Sequence, residues 1–329
     1  MPDELDLLRR ANPVPAHGPY FGDGPTDHCA ERRLESLPYE DAGRRARTRA
    51  PRARLLWGLA ATAVVLATTL TALLGGTSAP PAVAAPRPLA VRAHSAAVPL
   101  HQLAELAAVA AADGSPGLRK GTHVQSWSLG MSEDKPPVTL PEERVVRWNP
   151  DDSHTELLVA TDPRCPGRPV LTDEGDEPRL VADGHVLSRT TYPPSWSDAP
   201  PDARPPHTPA ALRVYLTESA HTGGDALSTP ELIDGVHELL NHWTLGSRES
   251  AALVRLLAQE RGLRPVGQVT DRLGRPGQAY VYDAPGARRM LILDPRTGAV
   301  LGSEAIFTRD VPRFGVRAGD VMEYSAWMR

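Results

Sequence analysis

Cysteine is nearly absent from this 329-residue chain. Only Cys29 and Cys165 occur, which excludes a disulfide scaffold and a cysteine-based structural zinc site. Lysine is just as rare, with Lys120 and Lys135 alone among 36 basic residues, a bias that points to GC-rich coding more than to function. Aromatic residues make up 5%. No excess of positive charge is present: the net charge is −4 and the pI about 6.3, so nothing global points to nucleic acid. The mean hydropathy of −0.32 describes an ordinary soluble protein. Proline is the exception in the other direction, 34 residues against a usual share of about 5%.

The averages conceal one long uncharged run. Leu55–Leu74 reads LLWGLAATAVVLATTLTALL, twenty residues without a charge. A helix of that length spans the roughly 30 Å of a bilayer core. Its polar residues are threonines, whose hydroxyls can return to a backbone carbonyl one turn back. Arg44, Arg45, Arg47, Arg49, Arg52 and Arg54 precede the run, and the far side is neutral as far as Arg87. The positive-inside rule therefore places 1–54 in the cytoplasm and 75–329 outside a cell membrane crossed once. Trp57 falls at the inner interface. Ala82-Val83-Ala84 offers a small-residue cleavage site, but a 54-residue leader and so long an apolar run favour an uncleaved anchor. On this topology Cys29 and Cys165 lie on opposite sides of the membrane, and each is expected as a lone thiol.

The tail 1–54 holds ten arginines against nine acids. Asp3–Arg10 has acids first and bases last, as a helix dipole prefers. Ala30, Leu34 and Leu37 make a second short apolar stripe. Two short helices cannot bury a core. The tail is expected to be largely disordered, or to fold on a cytoplasmic protein partner. His17 and His28-Cys29 lack the spacing of a zinc-binding anti-sigma motif. The arginine cluster is a topology signal first and a contact for anionic membrane lipid second.

Outside, residues 75–99 are rich in alanine and proline and are expected as a linker. A folded region is expected over 100–329. Leu100–Ala112 reads as a helix with Leu103, Leu106 and Ala110 on its buried face. His123–Met131, Glu143–Trp148, Glu156–Ala160 and Val186–Thr191 read as strands. Residues 161–184 read as loops, and 193–209, with seven prolines, as a long exposed loop. Thr208-Pro209 starts a helix carrying Leu212, Tyr215 and Leu216 inward. Ser228-Thr229-Pro230-Glu231 is a capping box, and Ser247 is expected to cap a third helix. Five strands follow, Pro265–Val269, Gln278–Tyr282, Arg289–Leu293, Val300–Phe307 and Met322–Trp327. Turns at Gly274–Gly277 and Asp294–Gly298 separate two of the pairs. Short turns between consecutive strands imply an antiparallel sheet. The fold class is α+β: a curved sheet with helices on its concave face.

Two stretches, Val269–Gly277 (VTDRLGRPG) and Leu291–Gly302 (LILDPRTGAVLG), carry a resemblance. With Asp3-Glu4-Leu5, the arginine cluster and the single span, they resemble a family of actinobacterial single-pass membrane proteins often encoded beside extracytoplasmic-function sigma factors. The resemblance covers nearly the whole chain and rests on turn-forming residues. It implies an outer domain similar to the half-barrels of lipoprotein carriers and of periplasmic sigma-factor regulators. It also implies an apolar groove for lipid or peptide, and it carries over no binding residue.

Catalytic patterns are sparse. Ser132-Glu133-Asp134-Lys135 has S-x-x-K spacing, but Gly130 and Pro136-Pro137 make it a turn, and no partner motif accompanies it. No G-x-S-x-G, H-E-x-x-H or P-loop occurs. His237 and His242 lie on different faces of one helix and read as packing or surface histidines. Asp173–Glu177 lacks a calcium-loop pattern. Glu142-Glu143 and Asp151-Asp152 flank a strand. Neither cofactor, metal nor nucleic acid is expected. Trp127, Trp148 and Trp243 read mainly as core and otherwise as the lining of a ligand groove. The function expected is non-enzymatic: a membrane-anchored extracytoplasmic binding or sensing protein, with a link to sigma-factor signalling implied by the resemblance. The alternatives are envelope lipid or lipoprotein handling and, least favoured, an extracytoplasmic hydrolase.

Overall fold

A computed structural model describes residues 86–329 apart from 175–176, 195–198 and 221–225. The tail 1–54, the span Leu55–Leu74 and Cys29 lie outside the described residues. Among the described residues no helix is long and apolar enough to cross a membrane. Helix α1 (Leu100–Ala110) begins directly after Pro99. Strands β1 (Arg119–Gly130), β2 (Val138–Trp148) and β3 (His154–Ala160) follow as consecutive antiparallel partners. The stretch 161–184, expected as loop, forms a two-stranded ribbon of β4 (Val170–Thr172) and β5 (Arg179–Val181). Strand β6 (His185–Tyr192) then pairs with β3. Helices α2 (Pro209–Ser219), α3 (Thr229–His242) and α4 (Ser247–Leu257) come next, with the short β7 (Trp243–Thr244) between the last two. The chain closes with β8 (Arg264–Thr270), β9 (Pro276–Ala284), β10 (Ala287–Leu293), β11 (Val300–Phe307) and β12 (Val321–Trp327).

The large sheet runs β6-β3-β2-β1-β12-β11-β10-β9-β8, with β7 also on β1. Each half is an antiparallel meander, with a longer excursion between β3 and β6 and another between β11 and β12. The join between halves is long-range: Val124 pairs with Trp327 and Trp127 with Tyr324, which sets the last strand against the first. In the β8–β9 turn the Asp271 carboxylate accepts from the N–H groups of Leu273 and Arg275 at 2.9 and 2.7 Å. The Arg275 guanidinium donates to Asp271 and to the carbonyls of Leu301 and Trp327, tying that turn to β11 and β12.

Side chains alternate along a strand, and here both faces of the sheet are buried. On one face Val124, Tyr280, Leu291, Leu293 and Trp327 pack under Leu103, Leu212, Leu216, Leu239, Leu253 and Leu257 of the helices. Full burial of each such leucine contributes about 1.5–3 kcal/mol. The capping box forms as read: the Glu231 carboxylate accepts from the Ser228 N–H at 2.7 Å and from its hydroxyl at 2.5 Å. On the opposite face Trp127, Ala279, Val281, Ile292, Tyr324 and Ala326 form a second cluster. Leu89 covers part of it. The segment before α1 lies along β8, where Val91 bridges Val269 and the Arg92 N–H donates to the Gln268 carbonyl at 2.7 Å. It is fastened again where the Leu89 N–H donates to Glu304 at 2.8 Å and the Arg272 guanidinium donates to the Arg87 carbonyl at 3.0 Å.

Several expectations are corrected. Helix α1 buries Leu100, Leu103, Ala104 and Ala107 at i, i+3, i+4 and i+7, while Leu106, expected inward, is 46% exposed and Ala110 only half-buried. Gly246, not Ser247, occupies the N-cap of α4. The proline-rich stretch before α2 is anchored: Pro205 is buried, and the Pro201 carbonyl accepts from both the Tyr215 hydroxyl and the Trp243 indole. Cys165 is disulfide-bonded rather than a lone thiol, and its partner falls outside the described residues.

Candidate functional site

The three tryptophans do not share a groove. Trp127 occupies an odd position of β1 and points to the face away from the helices. It is 1% exposed, 5.3 Å from the Tyr324 ring, with the Arg164 guanidinium 5.0 Å over it. Trp148 and Trp243 are brought together at the rim of the sheet, where β1 begins, β2 ends and β7 joins. Lys120 is the link. Its ammonium sits 3.6 Å from the centroid of the Trp148 ring and 5.9 Å from that of Trp243. A cation over an indole face is attracted by the ring quadrupole. Asp152 lies 3.7 Å from the same ammonium.

Sheet register extends this contact into a column. Trp148 pairs with His154, and His154 with Tyr192. The rings stack at 4.2 Å and 4.6 Å, tilted by 21° and 15°. Burial holds the His154 imidazole below its ordinary value, and the charges of Lys120 and His242 push the same way against Asp202 and Glu156. At neutral pH the ring is uncharged. The Trp148 indole N–H and the His154 Nδ1 are buried without a hydrogen-bond partner. Both belong to groups that normally find one.

Beside the column opens a cleft of about 350 Å³. Its walls hold Arg119, Lys120, Arg147 and Arg329, with Thr244 and Met328 closing one side, and no aspartate or glutamate lines it. Gly121 sits opposite Arg147 in the ladder with φ of +102°. A Cβ there would run into the Val146 carbonyl and approach the Trp148 ring to 3.4 Å, so only glycine allows the strands to pack this closely at the cleft wall. The Arg329 guanidinium donates to the Ser250 hydroxyl at 2.8 Å. Burial is the main reason its charge is disfavoured; Asp294 opposes that shift, and the neighbouring charges of Arg275 and Arg119 add to it.

Elsewhere the polar clusters are structural. Glu143 pairs with His123, and Arg144 with Glu156. Ser132–Lys135 lies in the turn between β1 and β2. His237 packs against Trp327 with ring centroids 5.4 Å apart. Glu174 of the acidic loop is held by Arg179 and His185. Among the described residues no group of three metal-ligating side chains converges. The membrane-flanking residues Arg44, Arg45, Arg47, Arg49, Arg52, Arg54 and Trp57 lie outside the described residues.

The rim site uses residues that pattern reading passes over. Arg119, Arg147 and Arg329 look like ordinary surface charges, and His154 and Tyr192 look like strand ends. The available signal was Lys120, one of two lysines in the chain, set against a glycine at a strand start. No family model matches the chain, and neither does any curated protein or solved structure.

Proposed function

We propose that the chain is a non-enzymatic, membrane-anchored binding and sensing protein whose outer domain takes a small ligand in the rim cleft. The cleft itself carries the reading. It has the volume of a small-molecule site, and Trp148 lines it together with the cationic side chains of Arg119, Lys120, Arg147 and Arg329. The uncharged run Leu55–Leu74 behind six arginines supports a single crossing with the tail 1–54 in the cytoplasm, an orientation that a bond from Cys165 to Cys29 within one chain would overturn. A co-encoded sigma factor is the partner that the tail would report to. The lipid-carrier reading needs an apolar hollow under the helices, and there Leu103, Leu212, Leu216 and Leu253 are fully buried against one another. The half-barrel likeness accordingly contributes a scaffold to this proposal, while the ligand site is the rim.

Two measurements test it. Protease added to intact protoplasts should remove the outer domain and spare the tail; the reverse pattern overturns the orientation. Native mass spectrometry of the full chain should show a copurifying small molecule that Trp148→Ala releases. A wild-type chain with nothing bound, and no response of its tryptophan fluorescence to a ligand library, overturns the binding role.

A further inference from the structure

We infer that the rim cleft recognises a phosphoryl oxyanion, held by the guanidinium groups of Arg119, Arg147 and Arg329. The inference rests on the binding role proposed above and names its ligand class. Four cationic side chains line one small volume that no aspartate or glutamate among the described residues lines. Lys120 already has Asp152 and the Trp148 face. Arg119 and Arg147 have no hydrogen-bond or ion-pair partner among the described residues, whereas arginines such as Arg144, Arg164, Arg213, Arg272, Arg275 and Arg289 are each paired with a carboxylate. Arg119 stands at the start of β1 and Arg147 near the end of β2, and both line the cleft. Two long side chains so placed can close on one group. Arg329 enters from the other wall and is braced by Ser250. Like charges gathered in a cleft repel until an anion enters. Guanidinium forks match the oxygens of a phosphoryl group, and three of them from separate directions suit a tetrahedral anion better than a planar carboxylate.

The phosphoryl group can belong to a free solute or to a lipid headgroup of the membrane beside the domain. The full chain in a non-ionic detergent would be titrated with inorganic phosphate and pyrophosphate. In a second arm, mixed micelles would contain phosphatidylglycerol or, as control, phosphatidylcholine. Tryptophan fluorescence is the readout. A saturable change with an anionic probe is expected, weakened by added salt. Arg119→Gln/Arg147→Gln should weaken it by about tenfold or more, the loss of charge-assisted hydrogen bonds from two donors. Arg168→Gln, at an exposed arginine elsewhere, should leave it unchanged. Saturation by phosphate identifies a solute, and saturation by phosphatidylglycerol alone identifies a headgroup; both support the inference. The absence of saturable binding to every anionic probe overturns it, as does binding that the double variant leaves intact. If anions fail but a neutral copurifying molecule is released by Trp148→Ala, the ligand class is wrong and the binding role stands. If both fail, the binding role falls too.

Discussion

Replacing Arg272 by methionine isolates the one ion pair among the described residues with both side chains buried. The Arg272 and Glu304 side chains are 6% and 2% exposed. The guanidinium also lies 4.9 Å from the Tyr324 ring and donates to the Arg87 carbonyl, while Glu304 accepts from the Leu89 N–H. Burial raises Glu304 above the usual carboxylate range and lowers Arg272, although each partner opposes the shift of the other. The Arg272 Nε has no acceptor. The desolvation cost of this pair is therefore high, and its removal should depend on whether one or both charges go. Arg272→Met leaves a buried carboxylate with a single backbone donor, a loss of about 3–5 kcal/mol. For a domain of this size each kcal/mol shifts the midpoint by about 2–4 °C, so melting should fall by about 6–20 °C. Arg272→Met/Glu304→Leu removes both charges and should recover most of that loss. A carboxyl whose folded-state pKa is raised takes up its proton in the folded state first. The single-variant defect should accordingly shrink as the pH falls from 7 toward the carboxylate range. Urea unfolding followed by Trp127 fluorescence, beside Tyr324, reads all three. A single variant that loses less than about 1 kcal/mol, or a double variant no better than the single, refutes the reasoning.

Three further outcomes are expected. Burial holds His237 down to about 4. Stability tied to its neutral form is complete above the ordinary histidine range and is lost as the pH falls from about 6.5 through that value. His237→Phe should flatten this window by up to about 3 kcal/mol in a pH series of urea midpoints, and an unchanged pH profile would count against it. Gly298 has φ of +69°, and a Cβ there would meet Ala107 and Val254, each at 2.8 Å, whereas Gly274, at +80°, faces open space. Gly298→Ala should thus cost clearly more than the ~1–2 kcal/mol expected for Gly274→Ala, and equal losses would refute the packing argument. Glu231→Ala removes the acceptor of two Ser228 donors and should lower stability by about 1 kcal/mol in the same assay, with no effect on anion binding.

Local chemistry made much of this fold legible in the linear chain. Helix α2 carries Leu212, Tyr215 and Leu216 inward as the spacing reads, because Thr208-Pro209 fixes where it starts. The turns at Asp271–Arg275 and Asp294–Gly298 depend on a few residues each, so the last meander follows from them directly. The α1 stripe was misread at Leu106 and Ala110 because alanines are apolar enough to serve on either face, and Ala104 and Ala107 complete the buried stripe with Leu100 and Leu103. The stretch with seven prolines looked exposed because its anchors, Tyr215 and Trp243, belong to later elements.

The sequence alone determined the uncharged run and its arginine flank, the capping box, the turn residues and the antiparallel class of the sheet, since each depends on neighbours a few residues apart. Tertiary structure decided that the first and last strands pair. It turned Trp127 away from Trp148 and Trp243, and it fastened the segment around Leu89 to a buried ion pair. It also gathered Arg119, Arg147 and Arg329 around one cleft. These residues lie up to about two hundred positions apart. Strand register alone brings them together, and register is set by the packing of both sheet faces at once.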